Sequence, residues 1–465
     1  MKKLFIILLI LTLGLTTITA CKSKEAVVDP DVEPEMAEQV LDEEAAKVIG
    51  KAFLEQFLTG DFESAYNGHA LDEAMKKAFP VEMMASIHEQ LITDYGAFIE
   101  LSGQKETTTQ GFYIITFGAS HEKQTLAYNV VFNQKGEIGG FNYQEIESLD
   151  VFSSTEKPVH NGKAVTFGSE DFPLEGTLLY PEGEGPFPAV VLVHGSGPND
   201  RDETIMGNKP FRDIAEGLAA QGIAVLRYDK RTYTHSLRYS DPLVAADVTI
   251  YNEVIDDARY AVEFLSQQSH IDTDKLFVIG HSLGANQAPR IAEGRTDITG
   301  IAMLGGNVTP LQDLMVYQYE YLFSLDETAD ELTKAAQNTQ LGAIILGVKM
   351  INSEELTLTT DPTLTLGIPA KYWMDLRDYN PIDIAKNLEI PMIILQGGRD
   401  YQVPPTEFDL WKAGLGDQAE YRYYESLNHL FIAGEGKPSP EEYSVPGKVD
   451  NQVIEDLAEW IHSVI

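Results

Sequence analysis

The stretch LFVIGHSLGA, residues 276–285, sets a serine between two glycines at the end of an apolar run. LFVI reads as a strand entering Gly280, and LGANQAPRIAEG, after Ser282, reads as a helix. Strand, sharp turn and helix are the frame of a nucleophile elbow, where small neighbours let the chain reverse beneath the serine. Gly280 and Gly284 supply that room. A helix N-terminus behind Ser282 also favours negative charge developing beside it. Ser282 is therefore the candidate nucleophile.

A serine hydroxyl needs a base, and the base needs an acid to orient it. In this frame the acid and then the histidine follow the serine along the chain. His429 lies in ESLNHLF, a loop after the strand-like AEYRYY, whereas His462 lies within a closing amphipathic helix. His429 is the candidate base. The strand-like IPMIILQGGRD ends in Asp400, the candidate acid; Asp378 and Asp383 precede that strand and fit less well. Two backbone N–H groups should form the oxyanion hole. Leu283, immediately after the nucleophile, offers one. The loop HGSGPNDRDE offers the other, with Ser196 as the choice and Gly197 as the alternative. His194 and His281 flank these positions and are expected to hold loops rather than move protons.

Outward from this motif, strands alternate with helices. FPAVVLVHG is continuously apolar, as a strand buried on both faces should be. PFRDIAEGLAAQG and VTIYNEVIDDARYAVEFLSQQ are amphipathic, the second with Tyr251, Val254, Ile255, Ala258, Val262 and Leu265 on its inner face. Repeated β-α alternation predicts a doubly wound, mostly parallel sheet over residues 163–465. About residues 307–378 exceed what a crossover needs and read as a helical cap, with LTLTTDPTLTLGIP as a mobile loop inside it. The cap aromatics Tyr317, Tyr319, Tyr321, Phe323, Tyr372 and Trp373 either line an acyl pocket or pack the cap on the core. The charged group Asp200, Arg201, Asp202, Asp229, Lys230 and Arg231 is expected to pair internally and order the oxyanion loop, rather than to touch substrate.

Residues 37–146 read as a separate small α+β domain. Helical spacing covers Val40 to Phe53, LDEAMKKAFP and VEMMASIHEQLITDYG, and period-two strands follow in GFYIITFGA, QTLAYNVVFNQKG and EIGGFNYQEI. Lys135 and Gly136 mark a hairpin turn. His69, His88 and His121 are expected to be surface or packing residues. Residues 147–162 read as a linker.

The 465 residues carry 34 Lys+Arg against 72 Asp+Glu, a net charge of −38, which excludes a nucleic-acid binder. The chain opens with a basic head, a long apolar run and ITAC, the parts of a secretory leader over residues 1–20. Cys21 is the only cysteine, so disulfides and thiolate metal sites are excluded, and no other metal motif is present. No cofactor is expected. ITAC resembles the lipobox of bacterial lipoproteins, which implies lipidation at Cys21, a tether over 21–36 and anchoring at a cell envelope.

VLVHGSGPNDRDE, LRYDKRTYTH, GHSLGA, QGGRDYQVP and NHLF together resemble the α/β-hydrolase fold, in its serine-esterase, dienelactone-hydrolase-like and S9-peptidase-like branches. The stretch TGDFESAY…VVFNQKGEIGGF is similar to NTF2/cystatin-like domains of unknown function found ahead of such hydrolases. The resemblance implies a serine carboxylesterase acting on small acyl or aryl esters. An S9-like peptidase and a non-catalytic envelope-binding lipoprotein are the alternatives. The first would need a propeller or a glutamate pair to hold a peptide amine, and the region ahead of the hydrolase is too short for a propeller.

Overall fold

The computed structural model describes residues 43–109, 112–133, 135–146, 149, 162–239 and 242–465. The leader, Cys21, the tether and nearly all of the 147–162 linker lie outside them.

In the N-terminal unit four strands pair antiparallel in chain order: β1 (Phe98–Thr109), β2 (Phe112–His121), β3 (Thr125–Phe132) and β4 (Ile138–Ile146). Helices Glu43–Leu58 and Val81–Tyr95 lay Phe53, Leu54, Phe57, Met84 and Leu91 on the face formed by Ile115, Phe117, Val130 and Phe132. Each fully buried phenylalanine contributes roughly 1.5–3 kcal/mol by leaving water. Strand β1 was not expected. It is an edge strand without a buried side chain from residue 98 to 106, so it carries no period-two apolar signal. A further short helix, Phe62–Asn67, is capped by Asp61, whose side chain accepts from the Ser64 N–H. The histidines here serve packing: His121 donates to the Gly96 carbonyl at 3.2 Å and meets the Tyr128 hydroxyl at 2.8 Å.

The second unit is built on eight strands in the order β12-β11-β10-β9-β7-β8-β6-β5. These are β5 (Gly162–Gly168), β6 (Pro173–Leu179), β7 (Phe187–Val193), β8 (Ala224–Tyr228), β9 (Ile271–His281), β10 (Gly300–Leu304), β11 (Met392–Gly397) and β12 (Glu420–Tyr424). From β8 to β12 the pairing is parallel; β6 runs antiparallel to both β8 and β5. Strand β5 corrects the linker reading. It begins one residue inside it, and its side chains are exposed or only partly buried, as an edge allows.

Alternation along the central strands feeds two cores. Val190, Leu192, Phe277 and Ile279 meet helices Pro210–Ala220 and Asn451–Val464 on one face. Val191, Val193, Val278 and Met303 meet helices Asp256–Ser266, Leu283–Ala292 and Pro405–Leu415 on the other. The helix before β9 departs from its expected register. Tyr251–Ile255 is wound as a π-helix, which turns Tyr251 outward to 41% exposure and buries Glu253. Between β10 and β11 the cap comprises helices Leu311–Leu325, Glu331–Ile351 and Ala370–Leu376. At the end of the stretch read as a mobile loop, Thr365 is buried, donates to the Ile368 carbonyl at 2.7 Å and accepts the Trp373 indole N–H at 2.8 Å.

Candidate active site

Strand β9 delivers the chain into a turn where Ser282 has φ 52° and ψ −116°, a backbone that non-glycine residues rarely hold. The turn is closely packed. A Cβ on Gly280 would lie 2.2 Å from the Gly284 carbonyl oxygen, and one on Gly284 would lie 2.2 Å from that of Val193. Only hydrogen fits at either place. Helix Leu283–Ala292 begins at once, so its first N–H groups have no carbonyl within the helix to meet.

Asp400 and His429 come from the loops after β11 and β12, whose parallel pairing sets their ends side by side. Both are buried. His429 donates from Nδ1 to Asp400 Oδ2 at 2.6 Å. Asp400 Oδ1 also accepts the Gln402 and Val403 N–H groups at 2.9 and 2.8 Å, so the acid is held by its own loop. With Nδ1 donating, Nε2 of a neutral His429 ring is the acceptor. Ser282, His429, Leu283 and Ser196 line one cleft that opens to solvent. The five residues expected from the sequence at this site thus come together.

Two residues hold the loop after β7: Lys230, of the charged group expected to order it, and Glu203, which sequence reasoning missed. The Gly195 N–H donates to Glu203 Oε1 at 2.7 Å, and Lys230 Nζ donates to the Gly195 carbonyl at 2.9 Å. Gly195 touches the nucleophile: a Cβ there would stand 3.0 Å from Ser282 Cβ. Because Glu203 occupies the Gly195 N–H, the amides after it on this loop, Ser196 and the alternative Gly197, are the ones left to face the cleft as donors. Glu203 Oε2 stands 2.8 Å from His281 Nδ1, and His281 Nε2 donates to the His429 carbonyl at 2.9 Å. His281 thus holds a loop, as expected, and bridges the oxyanion side to the base. Burial opposes charge on His281, but Glu203 and the His429 carbonyl outweigh it and raise its pKa. Burial likewise opposes charge on Glu203, and His281, His194 and the Gly195 N–H overcome it and lower its pKa. His194, wholly buried, is pushed down to about 4 by that burial, while donating to the Asp200 carbonyl at 3.1 Å.

Within the charged group Arg201 pairs with Asp229. Asp202 pairs with Arg227 and Lys209, Lys230 with Glu253 at 3.1 Å, and Arg231 with Asp257. Apart from Lys209, these partners come from β8 and the helix before β9, elements that a local reading could not bring close. The cap aromatics do not line the cleft; its cap wall is Leu311, Leu314, Met315 and Gln318. Tyr321 stacks on Tyr401 at 5.5 Å instead, and Trp373 is buried in the core.

Sheet order, elbow and acid–histidine pair define an α/β-hydrolase. A family profile described as "Serine aminopeptidase, S33" matches residues 186–435, and the chain belongs to that family. Residues 50–141 match a second profile, described as a protein of unknown function. Among curated relatives, Esterase EstD of Thermotoga maritima is 36% identical over 426 residues, which span 88% of this chain and 93% of the relative. An Escherichia coli protein, described as an uncharacterized 31.7 kDa protein in the traX-finO intergenic region, is 20% identical over 55% of this chain and 90% of its own length. An esterase structure from Pyrococcus furiosus aligns with a TM-score of 0.43 and 16% identity, over 67% of this chain and 94% of that one.

Proposed function

We propose that the chain is a serine carboxylesterase that cleaves uncharged esters through an acyl-enzyme. The observation carrying this reading is Ser282 sharing a cleft with His429, itself held by Asp400 at 2.6 Å. Ser282 Oγ attacks the ester carbonyl carbon as its proton passes to His429 Nε2. The carbonyl oxygen becomes an oxyanion facing the Leu283 and Ser196 N–H groups, each such donor being worth about 2.7–4 kcal/mol. Collapse breaks the bond to the alcohol, which leaves with the proton from His429. Water then attacks the acyl-serine with His429 again as base, the carboxylic acid departs, and Ser282 regains its proton.

Esterase activity is favoured over aminopeptidase activity by the cleft itself. Holding a peptide ammonium takes a free carboxylate. Of the cleft-lining residues, only Glu203, His281 and His429 are ionisable, and the Glu203 oxygens already face the Gly195 N–H and His281. The polar wall is otherwise neutral. The Asn307, Gln318 and Gln402 side-chain amides each donate one N–H, to Thr309 O, Gln402 O and the Tyr443 hydroxyl respectively. The name of the Thermotoga maritima relative supports the same choice.

The leader and Cys21 support a lipid-anchored place at a bacterial envelope. No helix among the described residues is long and apolar enough to cross a membrane. A fluorophosphonate probe tests the core reading: it should label Ser282 in the wild type and leave Ser282→Ala unlabelled. Folded but unlabelled wild type would end it. Acetyl, butyryl and octanoyl esters assayed beside aminoacyl amides then separate esterase from peptidase.

A further inference from the structure

The catalytic pair and its cleft leave one buried cation unexplained. Lys230 is 2% exposed, and its ammonium meets the Gly195 carbonyl at 2.9 Å and Glu253 Oε1 at 3.1 Å. Lysine is almost never so buried without a specific partner. Here one partner is the carbonyl of the same peptide group whose N–H belongs to Ser196. In a trans peptide the carbonyl and the N–H point in opposite directions. Fixing Gly195 O therefore fixes the direction of the Ser196 N–H. A cation on the oxygen also draws electron density from the nitrogen and strengthens that N–H as a donor.

Two further contacts reach Gly195, and a third observation concerns the counter-ion of Lys230. Glu203 holds the other side of Gly195 through its N–H at 2.7 Å, and does so from a left-handed backbone with φ 51°. Asn199 Nδ2 adds a longer contact to Gly195 O at 3.3 Å. Glu253, the counter-ion of Lys230, sits in the π-helical turn, and its Oε2 accepts the Tyr372 hydroxyl at 2.9 Å. Tyr372 lies on the cap helix Ala370–Leu376 and is buried. A continuous polar chain thus runs from the cap through Glu253 and Lys230 to the oxyanion loop.

We propose that Lys230 is a positioning residue for transition-state binding: it aims and polarises the Ser196 N–H, and Glu253 and Tyr372 tie its setting to the cap. The proposal rests on the esterase reading above. Because Lys230 acts on an oxyanion that exists only at the transition state, it governs kcat rather than KM.

The test compares Lys230→Met with Lys230→Met/Glu253→Gln, which removes both charges and so leaves no lone buried carboxylate to unfold the protein. Kinetics on a short acyl aryl ester are measured with the thermal midpoint and with affinity for an aryl boronic acid, whose serine adduct is a tetrahedral anion. In the folded double variant kcat should fall about 10–100-fold, short of the loss of a whole donor. KM should stay within about twofold, and boronate affinity should fall by the same factor as kcat/KM. Tyr372→Phe should lower kcat by about 2–10-fold in the same pattern. A folded double variant with wild-type kcat, or with KM raised at unchanged kcat, would overturn the proposal while Ser282 labelling kept the esterase reading standing. An unlabelled wild type would remove both.

Discussion

At the residue scale, the site pairs one half-buried candidate nucleophile with several buried groups around it. Asp400→Asn should leave the fold intact and lower kcat by about 10⁴-fold, because the amide no longer enforces the Nδ1–H tautomer of His429; steady-state kinetics with a thermal midpoint checks both halves. The buried pair makes stability depend on pH. His281 has a raised pKa, so its contribution is complete below the ordinary imidazole value of 6.5 and is lost as pH rises through the raised value. Glu203 has a lowered pKa, so its contribution is present above the ordinary carboxylate range and is lost as pH falls through the lowered value. The thermal midpoint should therefore decline on the alkaline side, and Glu203→Gln should remove that decline. His194 acts at the acid end. With a native value of about 4 against 6.5 when unfolded, it costs stability as pH falls between those values. A urea series across that window should steepen in the wild type relative to His194→Gln.

At the element scale, the elbow is a contact between a turn and the neighbouring strand. Gly284→Ala drives a methyl to 2.2 Å from the Val193 carbonyl, so strand β7 or the helix must move. It should destabilise by on the order of 3 kcal/mol and lower kcat, whereas Gly342→Ala, in a helix with nothing within 4 Å, should be neutral or stabilising by about 0.5–1 kcal/mol. Thermal melts of the two variants decide this. Helix Leu311–Leu325 supplies the cap wall of the cleft, so Met315→Trp should fill it and shift preference towards acetyl esters; relative kcat/KM across acyl lengths is the readout. The strands and helices that frame Ser282 were legible because a doubly covered parallel sheet needs apolar strands and amphipathic helices. Strands β1 and β5 were not legible: their described side chains are exposed or only partly buried, and neither stretch alternates apolar with polar residues.

At the scale of the whole molecule, each unit has its own apolar core. The N-terminal cluster is drawn wholly from residues 46–143, so a fragment spanning residues 43–146 should fold alone and unfold in one cooperative step by circular dichroism. Replacing Cys21 by serine should move the protein out of the membrane fraction, which western blotting of fractionated cells reads directly. What the sequence determined by itself was the class of fold, the order of Ser282, Asp400 and His429, and the loop that carries Ser196. Each of these is written locally, as a strand end followed by a turn, and chain order carries the rest. What only the tertiary structure decided was who holds that machinery. A lysine after β8 meets the peptide group next to the nucleophile, a glutamate turned inward by a π-helical turn pairs with that lysine, and a tyrosine on the cap bonds to the glutamate. No periodicity announces them, because a buried ion pair is defined by partners distant in sequence and by the water that the packed sheet and cap exclude.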